Sequence, residues 1–194
     1  DVARFARNHS RTNLEFLVGI PGTIGGGIKM NSGAYGSEIK KILIDVTAIN
    51  KNGMLKKFTV EDLKLDYRTN KLSQEWMFLK ARFKSNNGSK DLIQKKMKEI
   101  IQSRKISQPT GKKTGGSTFM NGKDFKAWEL IDNAGCRGLK KGGAIISNKH
   151  CNFIINENNA TAADIEKLGE TVRKKVFEKT GKKLKWEIKI IGEK

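Results

Sequence analysis

Hydrophobic and polar positions alternate along the first half of the chain in a way that predicts short strands. Residues 42–49, ILIDVTAI, have the two-residue period of a strand. Asn52-Gly53 is a hairpin-turn signal, so residues 54–60 are expected to form the return strand. Residues 76–83, WMFLKARF, predict a further, buried strand.

Two longer segments have the period of an amphipathic helix. The first, 91–103, carries lysines on the face opposite its apolar residues. The second begins at a capping-box pattern, Thr161 to Asp164, and is expected to end at Gly181. The predicted apolar faces consist of Ile93, Met97, Ile100 and Ile101 in the first helix and of Ile165, Leu168, Val172 and Val176 in the second.

Three shorter elements complete the prediction for the second half. Residues 124–135 predict a helix with Asp124 as its N-cap and Gly135 as its stop. Residues 150–156, HCNFIIN, and 184–191, LKWEIKII, predict strands. Helices and strands in this irregular order are typical of an α+β fold.

The polar stretch 104–118, RKISQPTGKKTGGST, is the best candidate for a domain boundary. Its turn residues carry this prediction, because the composition changes little across it. We therefore expect a first domain over residues 1–105 and a second over residues 106–194.

Composition narrows the class of protein. At 194 residues, 37% hydrophobic and 30% charged, the chain is expected to be globular and soluble. Its apolar runs are shorter than the roughly 20 residues that span a bilayer, and no signal peptide is visible, so a cytoplasmic protein without a membrane partner is predicted. Cys136 and Cys151 lie far apart, which fits a reducing compartment. With only two cysteines and two histidines, no metal site is expected.

The net charge of +19 favours an acidic partner such as nucleic acid or a polyphosphate ligand. Arginine supplies only 8 of the 39 basic residues, and the lysines are spread along the whole chain. No aromatic motif of an RNA-binding domain accompanies them. A lysine-rich solvated surface is therefore favoured, with nucleic-acid binding as the weaker alternative.

The segment 19–39, GIPGTIGGGIKMNSGAYGSEI, holds seven glycines in 21 residues. Successive unhindered N–H groups can bind a pyrophosphate closely. The spacing is not G-x-G-x-x-G, and Ile28 stands where a Walker A loop needs lysine. From composition alone, a glycine-rich bend in a β structure is the competing interpretation.

Three single residues have side chains suited to catalysis. Arg68 in DYR can hold a carboxylate through two parallel N–H bonds. Ser117, behind two glycines in GGSTF, can donate a proton with electrostatic help or a relay. Glu187 lies between Lys185 and Lys189 on the polar face of its predicted strand. Taken locally, a surface arginine, a turn serine and a solvated charge ladder are the favoured interpretations.

Polar residues also precede the strand predicted at 150–156. Ser147, Asn148, Lys149 and His150 follow one another there, and polar groups clustered at a strand end suit a binding site. A lone histidine such as His150 is more often structural.

Taken in order along the chain, these segments resemble the UDP-N-acetylenolpyruvoylglucosamine reductase family. The resemblance rests on segment 19–39, DYR, GGSTFMN, the run AWELIDNAGCRGLKKGGAIISNKHCNFIINENNATAADI, and LKWEIKIIG, and it covers essentially all 194 residues. It implies an oxidoreductase of peptidoglycan synthesis and cell wall biogenesis. Its reaction would be the FAD-dependent, NADPH-using reduction of UDP-N-acetyl-3-O-(1-carboxyvinyl)-glucosamine to UDP-N-acetylmuramate.

The resemblance also implies an architecture. Residues 1–105 would be part of a flavin-binding α+β domain of the vanillyl-alcohol oxidase/PCMH-like type, without its N-terminal lobe. Residues 106–194 would be a smaller α+β substrate-binding domain. The expected state is a monomer whose partner is a small-molecule UDP-sugar rather than nucleic acid.

Roles carry over from the family by motif. NADPH reduces FAD, and the flavin hydride then passes to the enolpyruvyl group of the substrate. The implied catalytic residues are Arg68, Ser117 and Glu187. The implied cofactor contacts are Pro21, Gly22, Thr23, Gly25, Gly26, Asn31, Gly33, Ala34 and Tyr35, and the implied substrate contacts are Asn121, Lys149, His150 and Asn152.

Two departures from the family pattern qualify these roles. Met120 and Gly122 stand where the family has lysine and proline in GSxFKNP, so a cation that contacts phosphate or substrate is expected to be missing. A glycine-rich GSN-type turn that grips FAD is expected before residue 1, so the chain is interpreted as a fragment or the product of a shortened gene. The alternative function is then a non-catalytic remnant of the enzyme.

Overall fold

The computed structural model describes residues 1–72 and 75–192. Residue contacts divide the chain into two compact units, Asp1–Arg104 and Lys105–Lys194. Each unit combines helices with antiparallel sheet, which confirms the predicted α+β class. The flavin-binding and substrate-binding roles expected for domains 1–105 and 106–194 stay predictions.

The first unit consists of short helices around small sheets. Its helices are α1 (Val2–Asn8), a 3₁₀ helix (Glu15–Gly19), α2 (Ile24–Lys29), α3 (Ile39–Ile42), α4 (Val60–Leu63) and α5 (Lys90–Ser107), the last of which extends past the unit boundary. Its strands are β1 (Arg11–Thr12), β2 (Gly33–Ala34), β3 (Ser37–Glu38), β4 (Leu43–Ile49), β5 (Leu55–Thr59), β6 (Met77–Phe83) and β7 (Asn86–Asn87).

The three strands predicted for this unit form one antiparallel sheet in the order β5-β4-β6. The predicted hairpin turn is confirmed, since Gly53 has a φ of 78° and its N–H donates to the carbonyl of Asn50 at 3.1 Å. Alternation buries Val46 and Ala48 of β4 completely, while the opposite face is partly solvated. The sheet therefore has one face on the core. The prediction that residues 76–83 are buried is wrong, since Met77 and Leu79 of β6 are 67% and 56% exposed.

Helix α5 begins at Lys90 and ends at Ser107, so it runs beyond the predicted 91–103 and into the stretch expected to be a boundary loop. Ile93, Met97 and Ile100 are buried as predicted, whereas Ile101 is 39% exposed and does not belong to the apolar face. Arg104 extends the helix and donates to the carbonyl of Gly19, a contact that sequence periodicity does not reveal.

The second unit places α7 against a four-stranded antiparallel sheet in the order β8-β11-β10-β9. Its elements are β8 (Thr114–Ser117), α6 (Ala127–Asn133), β9 (Lys140–Lys141), β10 (Ala144–Ile146), β11 (Phe153–Asn156) and α7 (Ala162–Thr180). The core contains Leu168, Val172 and Val176 of α7, all fully buried, together with Phe119 and Leu184.

Both predicted ends of α7 are confirmed. Thr161 and Asp164 form a reciprocal capping box, and Gly181 ends the helix in the left-handed conformation with a φ of 68°. Ile165 is only partly buried but packs against the core. None of the described helices combines the length and the apolar character needed to cross a membrane.

Two local predictions for this unit are wrong. Asp124 does not cap α6: the helix begins after Lys126, and the side-chain oxygen of Asn121 accepts the N–H of Ala127 at 2.9 Å. Residues 184–191 do not form a strand. They make a single bridge, between Trp186 and Phe119, and the chain bends at 187–188.

Candidate active site

The glycine-rich segment is not the open loop of successive amides that its composition predicts. Gly25, Gly26 and Gly27 lie inside α2, and Thr23 caps that helix by accepting the N–H of Gly26 at 3.1 Å. Glycine is a poor helix former, so burial of Ile28 at 1% exposure, rather than propensity, stabilises this turn.

A cavity of about 300 Å³ lies beside the start of α2. Its wall includes Pro21, Gly22 and Thr23, three of the predicted cofactor contacts, together with apolar side chains of Val2, Leu17 and Ile20. Gly22 has a φ of 104°, and a Cβ there would meet nothing within 4 Å. This is the size range and character of a small-molecule pocket.

Strands β2 and β3 form a tight hairpin in the same segment. Tyr35 and Gly36, at its tip, have φ values of 53° and 78°, the pattern of a type I′ turn. A Cβ on Gly33 would lie 2.8 Å from the carbonyl oxygen of Ser37, so the close pairing requires glycine there. Tyr35 is 45% exposed, and its ring covers Gly19.

A second cavity, of about 440 Å³, adjoins Tyr35. Lys41, Lys84 and Lys96 contribute to its wall, together with the buried Glu15. Three ammonium groups around one concave surface attract anionic ligands.

Asn31, a predicted cofactor contact, connects the glycine-rich segment to the DYR turn. Its amide nitrogen donates to the Asp66 carbonyl at 3.3 Å and to the Glu38 carboxylate at 3.0 Å. Its amide oxygen accepts the N–H of Lys40 at 2.9 Å. With 1% exposure and a φ of 40°, Asn31 holds three segments of this unit together.

Arg68 lies at the corner of a tight turn. Asp66 and Thr69 exchange two main-chain hydrogen bonds of 3.1 Å across it. Arg68 has a φ of 54°, which is strained for a residue with a Cβ, and its guanidinium lies 4.9 Å from the centre of the Tyr67 ring. Non-glycine residues in this conformation are enriched at functional sites, and Arg68 shares it with Lys64 and five other residues of the described chain.

Ser117 ends β8 directly after a β-bulge. Ser117 pairs with Phe153 and Thr114 pairs with Ile155, so β8 has one extra residue between them. Gly116 supplies the required φ of 88°. Bulges change the direction of a side chain and occur next to active sites, and the catalytic role of Ser117 stays a prediction.

The structure brings the chain around Glu187 next to the chain around Ser117. The N–H of Glu187 donates to the carbonyl of Thr118 at 2.8 Å, and Ile188 lies within 3.3 Å of a Cβ added to Gly115. Thr118 itself is 2% exposed, and its hydroxyl accepts the N–H of Ile154. Thr118 could not be identified from the sequence, because a threonine in a polar stretch shows no pattern that indicates its burial.

Asn152 supports the same region from the turn that precedes β11. Its side chain accepts the N–H of Phe119 at 2.9 Å and donates to the carbonyl of Phe119 at 2.8 Å. Asn152 is 4% exposed. It therefore fixes the segment that follows β8, and its contact with substrate stays a prediction, like that of Asn121.

Lys149 and His150 lie in a turn organised by Ser147. The Ser147 hydroxyl accepts the N–H groups of Lys149 and His150 at 3.1 and 3.2 Å. Burial lowers the pKa of His150, and the charge of Arg137 lowers it further. The ring packs edge-on against Phe153, with centroids 4.8 Å apart. His150 therefore favours its neutral form, although substrate binding by it stays a prediction.

Residues 108–191 match the family described as "UDP-N-acetylenolpyruvoylglucosamine reductase, C-terminal domain". The chain is 51% identical over 194 residues to the UDP-N-acetylenolpyruvoylglucosamine reductase of Orientia tsutsugamushi (strain Ikeda), covering 100% of this chain and 64% of that protein. It is 50% identical to the reductase of Rickettsia akari (strain Hartford), covering 99% of this chain and 65% of that protein.

A solved structure gives the same result. The crystal structure of UDP-N-acetylenolpyruvylglucosamine reductase from Thermus caldophilus superposes with a TM-score of 0.86 at 32% identity, covering 97% of this chain and 67% of that one. The chain thus spans about 64% of the length of the first of these relatives. Similarity at this level extends along the whole chain, and on this evidence the chain belongs to the UDP-N-acetylenolpyruvoylglucosamine reductase family.

Proposed function

We propose that the protein acts in the FAD-dependent, NADPH-using reduction of UDP-N-acetyl-3-O-(1-carboxyvinyl)-glucosamine to UDP-N-acetylmuramate, a step of peptidoglycan synthesis. The observation that carries the proposal is the glycine bulge before Ser117, with the chain around Glu187 bonded to Thr118. The full-length similarity to reductases of this name supports it.

The first unit has features that fit a flavin dinucleotide. The cavity beside Pro21, Gly22 and Thr23 is apolar on one side and bounded by a short helix on the other, and its 300 Å³ suits part of such a molecule. When bound, FAD reduced by NADPH would supply the hydride. The residues proposed to hold it are Pro21, Gly22, Thr23, Gly25, Gly26, Asn31, Gly33, Ala34 and Tyr35.

The catalytic roles follow from where charge develops. Hydride addition to the enolpyruvyl double bond leaves negative charge on the carbon next to the substrate carboxylate. Arg68 is proposed to bind that carboxylate and to stabilise the charge delocalised into it. Ser117 is proposed to donate the proton that completes the reduction at that carbon, and Glu187 to orient the groups around it.

The UDP part of the substrate is anionic, and the proposed contacts for it are Asn121, Lys149, His150 and Asn152. A neutral His150 can accept or donate a hydrogen bond, while Lys149 provides the positive charge that attracts the anionic group. The basic surface of the protein would also raise the capture rate of anionic ligands.

Ser117→Ala in the FAD-loaded protein tests the proposal. Loss of a general acid typically costs about 10²–10⁴-fold in rate. We expect NADPH to bleach the flavin at the wild-type rate, and substrate-dependent reoxidation of the flavin to fall by that factor. Turnover at the wild-type rate would remove Ser117 from the mechanism, and a folded protein that never takes up flavin would contradict the proposed function itself.

A further inference from the structure

Trp186 occupies space that a side chain at Gly169 would fill. A Cβ added to Gly169 would lie 1.9 Å from Cη2 of the Trp186 ring. Glycine inside a helix costs about 1 kcal/mol relative to alanine, and Gly169 lies in the middle of α7. The close approach of the indole ring accounts for a glycine at this position.

Polar contacts fix the indole ring in the same place. The indole N–H of Trp186 donates to the Glu170 carboxylate at 3.0 Å. Arg173 donates to both oxygens of that carboxylate, at 2.7 and 2.9 Å. The Nε of Arg173 also donates to the carbonyl of Leu184 at 3.1 Å, so α7 bonds to the segment 184–188 at two points.

This segment, residues 184–188, carries Glu187. Besides the bond from Glu187 to Thr118, the carbonyl of Lys185 accepts the N–H of Met120 at 2.9 Å. The rings of Trp186 and Phe119 have centroids 4.9 Å apart. Residues 184–188 therefore lie between α7 and the segment 118–120 that follows β8, although they are not themselves a strand.

We propose that Glu170 and Trp186 are positioning residues that hold the main chain of Glu187 in register with Thr118. They act through the segment and need not touch substrate. The catalytic consequence rests on the function proposed above, whereas the structural consequence does not, and this difference decides the choice of experiment.

Amide hydrogen exchange of Glu187 and Met120 gives a readout independent of activity. In Glu170→Ala, and in Trp186→Phe, which keeps an aromatic ring but removes both the N–H donor and the indole atoms that pack at Gly169, we expect both amides to exchange about tenfold faster, the effect of losing one hydrogen bond to a charged group. Glu178→Ala is the matched control, because Glu178 is an exposed glutamate of α7 that pairs with Lys174. In Glu178→Ala, the amides of Glu187 and Met120 should exchange as in the wild type.

Kinetics supply the second readout. In the two test variants, the rate of substrate-dependent flavin reoxidation should fall about tenfold while NADPH-dependent reduction is unchanged, and Glu170→Gln, which keeps an acceptor for the indole, should recover much of the loss. Unchanged exchange in both test variants would overturn the positioning role. Faster exchange in the test variants, together with a wild-type protein that shows no reductase activity, would uphold the positioning role and overturn the proposed function instead.

Discussion

The side-chain amide of Asn31 donates to the main-chain carbonyl of Asp66 at 3.3 Å, and this bond ties the glycine-rich segment to the turn that presents Arg68. The two residues are 35 positions apart in sequence, and Asn31 is 1% exposed. Asn31 constrains its neighbours more than an apolar side chain would, because replacing Asn31 removes a hydrogen bond from each of its three partners.

Replacing Asn31 should therefore destabilise the protein. Asn31→Ala leaves the N–H of Lys40 and the carbonyl of Asp66 without their partner, and each such loss costs about 1–3 kcal/mol. We expect the free energy of unfolding, measured by urea denaturation, to fall by about 2–3 kcal/mol. Asn158→Ala, at an exposed position, is the control and should change it little. Equal stability of the two variants would contradict this account.

Arg68→Gly should separate stability from function. A residue with a Cβ in the left-handed region is strained by about 1–2 kcal/mol, which glycine relieves at an entropic cost of about 0.5–1 kcal/mol. Because relief of strain and loss of the contact with the Tyr67 ring oppose each other, we expect the free energy of unfolding to change by less than about 1 kcal/mol, while substrate-dependent flavin reoxidation is lost.

Lys64→Gly is the matched control for that variant. Lys64 has a φ of 44° at the C-terminal end of α4, in the same unit, and no catalytic role is proposed for it. It should be relieved of backbone strain in the same way and keep the wild-type rate of reoxidation. A comparable loss of rate in both variants would show that backbone conformation, rather than the guanidinium, matters at position 68.

The bulge before Ser117 makes a parallel prediction. Gly116 and Gly111 have φ values of 88° and 77°, and a Cβ on either would meet nothing within 4 Å. Alanine at either position should cost about 1 kcal/mol of stability through backbone strain alone. Only Gly116→Ala should also slow substrate-dependent reoxidation, because only Gly116 sets the direction of Ser117. Equal rates in the two variants would argue against a role for the bulge.

Periodicity and caps predicted the elements whose stability is local. The strands β4, β5 and β6 and the capped helix α7 follow from alternation, from Asn52-Gly53 and from the Thr161–Asp164 box, all of which act over a few residues. Their physical causes are present in any short window of the sequence.

Failures of prediction arose where distant contacts decide the backbone. Alternation at 184–191 suggested a strand, yet only Leu184 is fully buried, at 1%, and Ile191 is 90% exposed. The packing of the Trp186 indole against Gly169 determines the path of the chain there, and these two residues are 17 positions apart in sequence. Likewise, three glycines concealed helix α2, whose stability comes from the burial of Ile28.

The candidate site was predictable only in part. Motifs located Arg68, Ser117 and Glu187, and the structure shows the local geometry of each. The supporting residues Thr118 and Glu170 gave no sequence signal, because a buried threonine and a helical glutamate are common in any protein. Their roles depend on which main-chain groups the fold places beside them.

Acid stability should depend on Asp45 in a definite pH interval. Two nitrogens of Arg82 donate to this carboxylate, and Lys57 lies 3.1 Å from it. The hydrogen bonds from Arg82, and then those from Lys57, lower the pKa of Asp45 from 3.8 to about 2. Between these values the unfolded chain binds more protons than the folded one, so this contribution is complete above pH 3.8 and is lost as the pH falls toward 2.

Urea denaturation at stepped pH measures this contribution. Asp45→Asn should lower the free energy of unfolding near neutral pH, and the difference from wild type should shrink as the pH falls from 3.8 to about 2. Arg82→Leu removes the main cause of the lowered pKa, so it should weaken the same acid dependence. A constant difference between wild type and Asp45→Asn across that interval would mean that the carboxylate stabilises the sheet through packing or neutral hydrogen bonds rather than through its charge.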